Sequence, residues 1–199
     1  MSGKIAIEEH VNTDIFSPSM TNPFTEGQGE LPHYQQAFGE DVKFRLGSFE
    51  ERIKDMDTSG TAIMAVSLTA PGIEGIFDPA QAVETARKVN DQFHKIYGTG
   101  PYAHRFLTWA CVPMQDPEAA AKEAERCVKE LGCVGIFING YSNVGNPANL
   151  EVQYLDEMQC EPFWAKVAGL DVPVYLHHRI VATGQTRIFR GYEFLAGSP

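Results

Sequence analysis

Five short apolar runs recur along this chain, and a helix-patterned segment separates each from the next. That alternation narrows the fold to a parallel sheet covered by helices. The runs are Lys4–His10, Thr61–Leu68, Arg105–Met114, Val134–Asn139 and Pro173–His177. The helices announce themselves by their ends. Ser48-Phe49-Glu50-Glu51 is a capping box, and Gly60 stops the helix it opens. Asp78-Pro79 and Asp116-Pro117 each pair a capping carboxylate with a first-turn proline, and Gly98 and Gly132 close those helices. A fourth helix is expected over Pro162–Leu170.

Two architectures satisfy this pattern, a (β/α)8 barrel of the TIM type and an open doubly wound sheet. The open sheet usually carries a Gly-rich phosphate loop or a short first crossover, and the chain has neither. In a barrel, functional side chains gather at the C-terminal ends of the strands. Here those ends carry Glu8, His10, Thr69, Asn139 and His177. A whole barrel needs about 250 residues and eight strands. With 199 residues and five runs, the expectation is an α/β fold of TIM-barrel type, truncated after about five strands. Residues 1–199 then form a single, C-terminally incomplete domain.

Side chains alternate along a strand, so Ala6, Glu8 and His10 are expected on one face and Ile5, Ile7 and Glu9 on the other. A carboxylate and an imidazole about 6–7 Å apart at the backbone can grip one ion. Both donors suit a divalent metal of the zinc or manganese kind. A bare Glu-x-His pair is more often a solvated strand end, and His177 taken alone reads as a satisfied core histidine; the three together favour ligation. Thr69 is placed near the pocket, and Asn139 either lines it through its amide or caps a loop. The stretch Val11–Gly47 is rich in Pro, Gly, Asn and Ser yet carries several aromatic rings. It reads as a loop packed over the pocket, with Phe24 a candidate to pack on a ligand ring. Asn90-Asp91 lies inside a helix, where a structural hydrogen bond is the expected role.

A net charge of −10 argues against nucleic acid or an anionic membrane surface as partner. It also means that an anionic substrate would need a local cation. No window of about 18 apolar residues suggests a membrane span. Cys111, Cys127, Cys133 and Cys160 form no C-x-x-C pair, and no basic-then-apolar leader is visible, so reduced thiols and a cytoplasmic location are expected.

Several motifs occur in a telling order: Lys4–His10 (KIAIEEH), Leu68–Gly72 (LTAPG), Asn90-Asp91, Gln115-Asp116-Pro117, Gly135–Gly140 (GIFING), Pro162-Phe163-Trp164 and Asp171–His177 (DVPVYLH). Together they resemble the non-oxidative hydroxybenzoate decarboxylases of the amidohydrolase superfamily, of the γ-resorcylate (2,6-dihydroxybenzoate), 2,3-dihydroxybenzoate and 6-methylsalicylate type. The likeness covers essentially the whole chain and the N-terminal three-fifths of such enzymes. It implies a barrel holding one divalent metal, Zn or Mn, with Glu8, His10 and His177 at the ligand positions. It implies as substrate a small aromatic carboxylic acid, an ortho-hydroxybenzoate bound with its carboxylate and phenol oxygens toward the metal. It also implies a homo-oligomer for the full-length family.

Two departures stand out. The family's His-Pro-Arg after the fifth strand is His177-His178-Arg179 here. The sixth-strand His and the last-strand Asp that acts as proton donor have no counterpart, so no catalytic residue is assigned. The resemblance therefore implies a metal-dependent carboxy-lyase that is impaired or inactive as this chain. A metal-dependent hydrolase of the wider superfamily is the first alternative. The Glu-x-His of the first strand, rather than the His-x-His of two-metal hydrolases, favours the decarboxylase. A non-catalytic remnant or truncated gene product is the second alternative.

Overall fold

The computed structural model describes residues 3–15, 41, 44–146 and 149–179. Five parallel strands lie side by side in the order in which the chain makes them: β1 (Lys4–Val11), β2 (Thr61–Leu68), β3 (Phe106–Cys111), β4 (Gly135–Asn139) and β7 (Val174–His177). Helices α1 (Phe49–Ser59), α2 (Pro79–Phe93), α3 (Pro117–Lys129) and α4 (Glu161–Leu170) make the crossovers. Their starts follow the sequence signals. The side chains of Ser48, Asp78 and Asp116 accept hydrogen bonds from the N–H groups of Glu51, Gln81 and Ala119. Gly60 ends α1 at φ 71°, a left-handed conformation that a residue with a Cβ adopts at a cost.

The sheet has two covered faces. On one, Met64, Val66 and Leu68 of β2 pack against Met56 of α1 and Ala86, Val89 and Phe93 of α2. Further along, Ile136 and Ile138 of β4 meet Ala124 and Cys127 of α3 and Phe163 of α4. The larger of these side chains, the Val, Leu, Ile, Phe and Met, each contribute roughly 1.5–3 kcal/mol by leaving water. On the other face Ala65, Trp109 and Phe137 form a smaller cluster with Tyr175. Ile5, Ile7 and Leu176 remain about three-fifths exposed, at 59, 62 and 60%.

The sheet is strongly curled, and side-chain contacts across it prove the curl. In a flat sheet β1 and β7 would lie four strand spacings apart, about 19 Å. Yet Glu8 Oε1 of β1 lies 3.5 Å from His177 Nε2 of β7, and the Tyr175 hydroxyl donates to Glu8 Oε2. The Trp109 indole N–H of β3 likewise reaches over β2 to the Ile7 carbonyl, at 3.1 Å. Sequential parallel strands bent in this way form the α/β half-barrel of a TIM-type fold.

Two sequence expectations need correction. The stretch after Asn139 reads as a polar loop, but it forms an antiparallel hairpin, β5 (Tyr141–Asn146) with β6 (Asn149–Tyr154). Its inward side chains are polar because they bond to backbone: Asn143 Nδ2 to the Gly75 carbonyl at 2.9 Å, and Gln153 Nε2 to that of Met114 at 2.7 Å. Hydropathy therefore cannot flag it. The simple alternation along β1 also fails. Ala6 pairs with Met64 and Glu9 with Val66, so both Ile7 and Glu8 stand opposite Ala65. This extra residue is a β-bulge. Ala6 consequently packs on the helix side, while Glu8 and His10 share the opposite face. Phe24, and most of the loop over Val11–Gly47, fall outside the described residues.

Asn90 does the structural work its helix position suggests. It is 1% exposed. Its amide bonds both backbone groups of Cys111 at the end of β3, donating to the carbonyl at 2.9 Å and accepting from the N–H at 3.1 Å. Nδ2 also donates to Glu123 Oε1 of α3 at 2.8 Å. Asn90→Ala would take these bonds from the two Cys111 backbone groups, each loss costing about 1–3 kcal/mol, while Glu123 Oε1 keeps its bond from Arg126 at 2.7 Å. We expect a loss of roughly 2–4 kcal/mol in urea unfolding, with an unchanged m-value.

Candidate metal centre

Three side chains expected at the strand ends meet at one point. One ligand atom from each of Glu8, His10 and His177 lies within 4.8 Å of the others. Glu8 Oε1 is 3.9 Å from His10 Nε2 and 3.5 Å from His177 Nε2. The two imidazoles pack edge to face, 4.8 Å between ring centres. Phe137 of β4 lies against both, 5.6 Å from the His10 ring and 5.2 Å from that of His177. Tyr175 stacks on Phe137 at 5.5 Å, and Trp109 meets Tyr175 edge to face. An aromatic floor thus lies beside the donors, with the Tyr175 hydroxyl bound to the Glu8 oxygen that does not face the imidazoles.

Each imidazole is aimed through its other nitrogen. His10 Nδ1 lies 3.0 Å from Ser67 Oγ. Ser67 Oγ also lies 3.4 Å from the Glu9 carbonyl, so a hydroxyl that donates there accepts from His10 Nδ1–H and leaves Nε2 its lone pair. Arg52 of α1 clamps the same segment, donating to the His10 carbonyl at 2.7 Å and to Met64 Sδ at 3.3 Å, and lying 3.7 Å from the Glu9 carboxylate. Burial, aided by the His177 imidazole, pulls His10 below its ordinary value. Burial likewise lowers His177, with His178 contributing. Both shifts favour the neutral ring, the form that ligation requires.

Asn139 is not free to face a ligand. It is 1% exposed, and its Oδ1 lies 3.1 Å from His177 Nδ1. Its N–H and Nδ2 donate to Glu74 Oε1 and Oε2 at 2.8 and 3.1 Å. Of the two places expected for it, lining the pocket or capping a loop, the geometry puts its amide behind His177 and against Glu74. Thr69 is half-buried just past β2, where its N–H donates to the Val11 carbonyl at 3.1 Å and its own carbonyl accepts from Gly72.

Glu74 escaped the sequence reading, since a lone Glu in a turn looks like surface. It is 2% exposed, at the end of the LTAPG turn. Gly72 makes room for it: at φ 62°, a Cβ there would come within 2.5 Å of Glu74 Oε2 and 2.7 Å of Asn139 Nδ2. Arg179 also went unassigned. Its guanidinium donates to the carbonyls of Glu74 (3.2 Å) and Tyr141 (2.8 Å) and to Asn143 Oδ1 (3.0 Å), and lies over the Tyr141 ring. It ties the turn after β7 to the hairpin, where the resembled family has a Pro-Arg pair.

The amidohydrolase family model matches residues 11–192. The chain belongs to that family. It is 39% identical over 198 residues to a γ-resorcylate decarboxylase of Polaromonas sp. strain JS666, covering 99% of this chain and 56% of that protein. Among solved structures, a dihydroxybenzoic acid decarboxylase from Polaromonas sp. JS666, with bound manganese and the inhibitor 2-nitroresorcinol, superposes with a TM-score of 0.79. Identity there is 39%, over 99% of this chain and 55% of that one. A 2,6-dihydroxybenzoate decarboxylase from Rhizobium gives a TM-score of 0.79 at 36% identity, over 99% and 56% of the two chains. This amidohydrolase thus spans about half the length of the relatives it matches. No helix among the described residues is long and apolar enough to cross a membrane.

The buried Glu74 carboxyl gives this amidohydrolase a distinctive pH response. Burial pushes it up to about 7, against the bonds from Asn139 and the nearby Arg179 charge. A raised carboxyl stabilises the fold fully below its unfolded value and loses that contribution as pH rises through its folded value. Relative to Glu74→Gln, the wild type should therefore lose about 3 kcal/mol of stability between pH 4.5 and 7. Urea titrations of both proteins at matched pH would show this. The depressed histidines act with the opposite sign below their unfolded value.

Proposed function

We propose that this chain carries the metal-gripping part of a non-oxidative decarboxylase acting on ortho-hydroxybenzoates, with Glu8, His10 and His177 as ligands of one divalent ion. The observation that carries the reading is the convergence of three donor atoms within 4.8 Å at the ends of strands. The donor set fits, since two neutral imidazoles and one carboxylate suit manganese or zinc. Manganese has the stronger support, because it is the ion bound in the related Polaromonas structure.

A divalent ion held there would supply a Lewis-acid centre that offsets the charge of an ortho-hydroxybenzoate. The chain's own residues do the rest. Glu8 and the two Nε2 atoms fix the centre, and the Phe137, Tyr175 and Trp109 rings keep one side dry and present an apolar surface to an aromatic substrate. In the reaction the ring–carboxylate bond breaks, carbon dioxide leaves, and its electron pair stays on a ring carbon that takes up a proton. The family acid for that proton has no counterpart in these 199 residues. Four free, buried thiols support a reducing, cytoplasmic setting, and the oligomeric likeness to the family belongs to the same proposal.

Calorimetry with Mn2+ and 2,6-dihydroxybenzoate tests this. Mn2+ should bind the wild type, raise its Tm by the stabilisation mass action requires, and bind far more weakly to His10→Ala and His177→Ala. The aromatic acid should bind the Mn2+-loaded protein and not the metal-free one. Carbon dioxide release should be negligible; rapid release would show that a residue of this chain supplies the proton. Absence of Mn2+ and Zn2+ binding in a folded protein would end the metal reading.

A further inference from the structure

The metal ligand His177 is approached from behind by a chain of hydrogen bonds whose direction is dictated by its far end. An ionised carboxylate can only accept, so the Asn139 atom beside Glu74 Oε2 must be the amide nitrogen. A second acceptor lies on the same side, the Pro71 carbonyl at 3.5 Å. The Asn139 backbone N–H, which can only donate, engages the other Glu74 oxygen at 2.8 Å. With its nitrogen committed, Asn139 turns Oδ1 to His177 Nδ1 at 3.1 Å. An oxygen there demands a proton on Nδ1. A neutral imidazole carries one proton, so Nε2, which faces Glu8 Oε1 at 3.5 Å, keeps its lone pair.

We infer that Glu74, a positioning residue that touches neither metal nor substrate, selects the metal-binding tautomer of His177 through the fixed amide of Asn139. This deepens the metal reading above and rests on it for its purpose, although the tautomer itself exists without any ion. The surroundings support a dedicated device. Glu74 and Asn139 are 2 and 1% exposed, so water does not substitute for either partner. Gly72 leaves space for their approach that a Cβ would fill. Burial raises the Glu74 carboxyl to about 7 against the Arg179 charge, so the ionised, accept-only form prevails near pH 8.

Reversing the polarity of the chain gives the test. In Glu74→Gln the new amide keeps an oxygen for the Asn139 N–H, and its NH2 then faces Asn139. The Asn139 amide must rotate, present its nitrogen to His177 Nδ1, and drive the proton to Nε2. Adding Asn139→Asp restores an acceptor on both sides and returns the proton to Nδ1. The tautomer is read by nitrogen-15 NMR on metal-free, full-length protein near pH 8, where His177 is neutral. The expected result is Nδ1–H in the wild type, Nε2–H in Glu74→Gln, and Nδ1–H again in the Glu74→Gln/Asn139→Asp double variant. Mn2+ affinity should fall roughly 10–100-fold in the single variant and recover in the double.

A wild type protonated at Nε2 overturns the inference. So does a folded Glu74→Gln that keeps Nδ1–H, or a folded double variant that fails to recover it. If Glu74→Gln does not fold, the wild type and the double variant still decide. Tautomers that follow the pattern while no variant binds Mn2+ leave the relay standing and remove the metal reading instead.

Discussion

The curl of the parallel sheet is the constraint on which everything else depends. A carboxylate on the first strand and an imidazole on the last meet because the intervening strands bend, and the Tyr175–Glu8 hydrogen bond closes the gap they leave. The inner side chains enforce that bend. Trp109, Phe137 and Tyr175 pack on one another on the face away from the helices, and the indole N–H ties β3 to the backbone of β1. Small residues opposite them, such as Ala65, leave room for rings to cross over neighbouring strands. The bulge at Ile7-Glu8 completes the arrangement, since it sends Ala6 to the helix side while leaving Glu8 and His10 together.

Around the three converging donors, polarity is settled by groups that have no choice of role. Ser67 stands between the Glu9 carbonyl, which can only accept, and His10 Nδ1, and a hydroxyl that donates to the first accepts from the second. The Glu74 carboxylate, through Asn139, makes His177 Nδ1 a donor. The two routes come from different elements, one from the neighbouring strand and one from a turn after it. They reach the same result, two lone pairs aimed at one point. The low-dielectric surroundings that lower both histidines also raise Glu74, so burial that favours neutral imidazoles burdens the carboxylate behind one of them. Arg179 and the hairpin it grips offset part of that burden.

The helices, their caps and the sequential parallel strands were legible in the sequence because each rests on local chemistry. An Asp before a Pro caps the helix it begins, and an apolar run of five to eight residues makes a strand. Glu8, His10 and His177 were legible as strand-end donors on the same grounds. The hairpin was not, because Asn143 and Gln153 are buried by hydrogen bonds to distant backbone rather than by hydrophobicity. Glu74 and Arg179 were missed for a related reason, since their partners lie 65 and 36 to 105 residues away along the chain.

By itself, then, the sequence determined the helices, the parallel strands and their order, and the placing of Glu8, His10 and His177 at strand ends, all of which follow from spacing and side-chain type. Only the tertiary structure decided which atoms those residues present and what stands behind them. Asn139 is the clearest case. Its position at the end of β4 is a matter of local pattern, but its turn toward His177 rather than toward a ligand follows from a carboxylate that packing brings to the other side. Hydrogen-bond direction is a property of neighbours, and in this fold the decisive neighbours are supplied by other strands and turns.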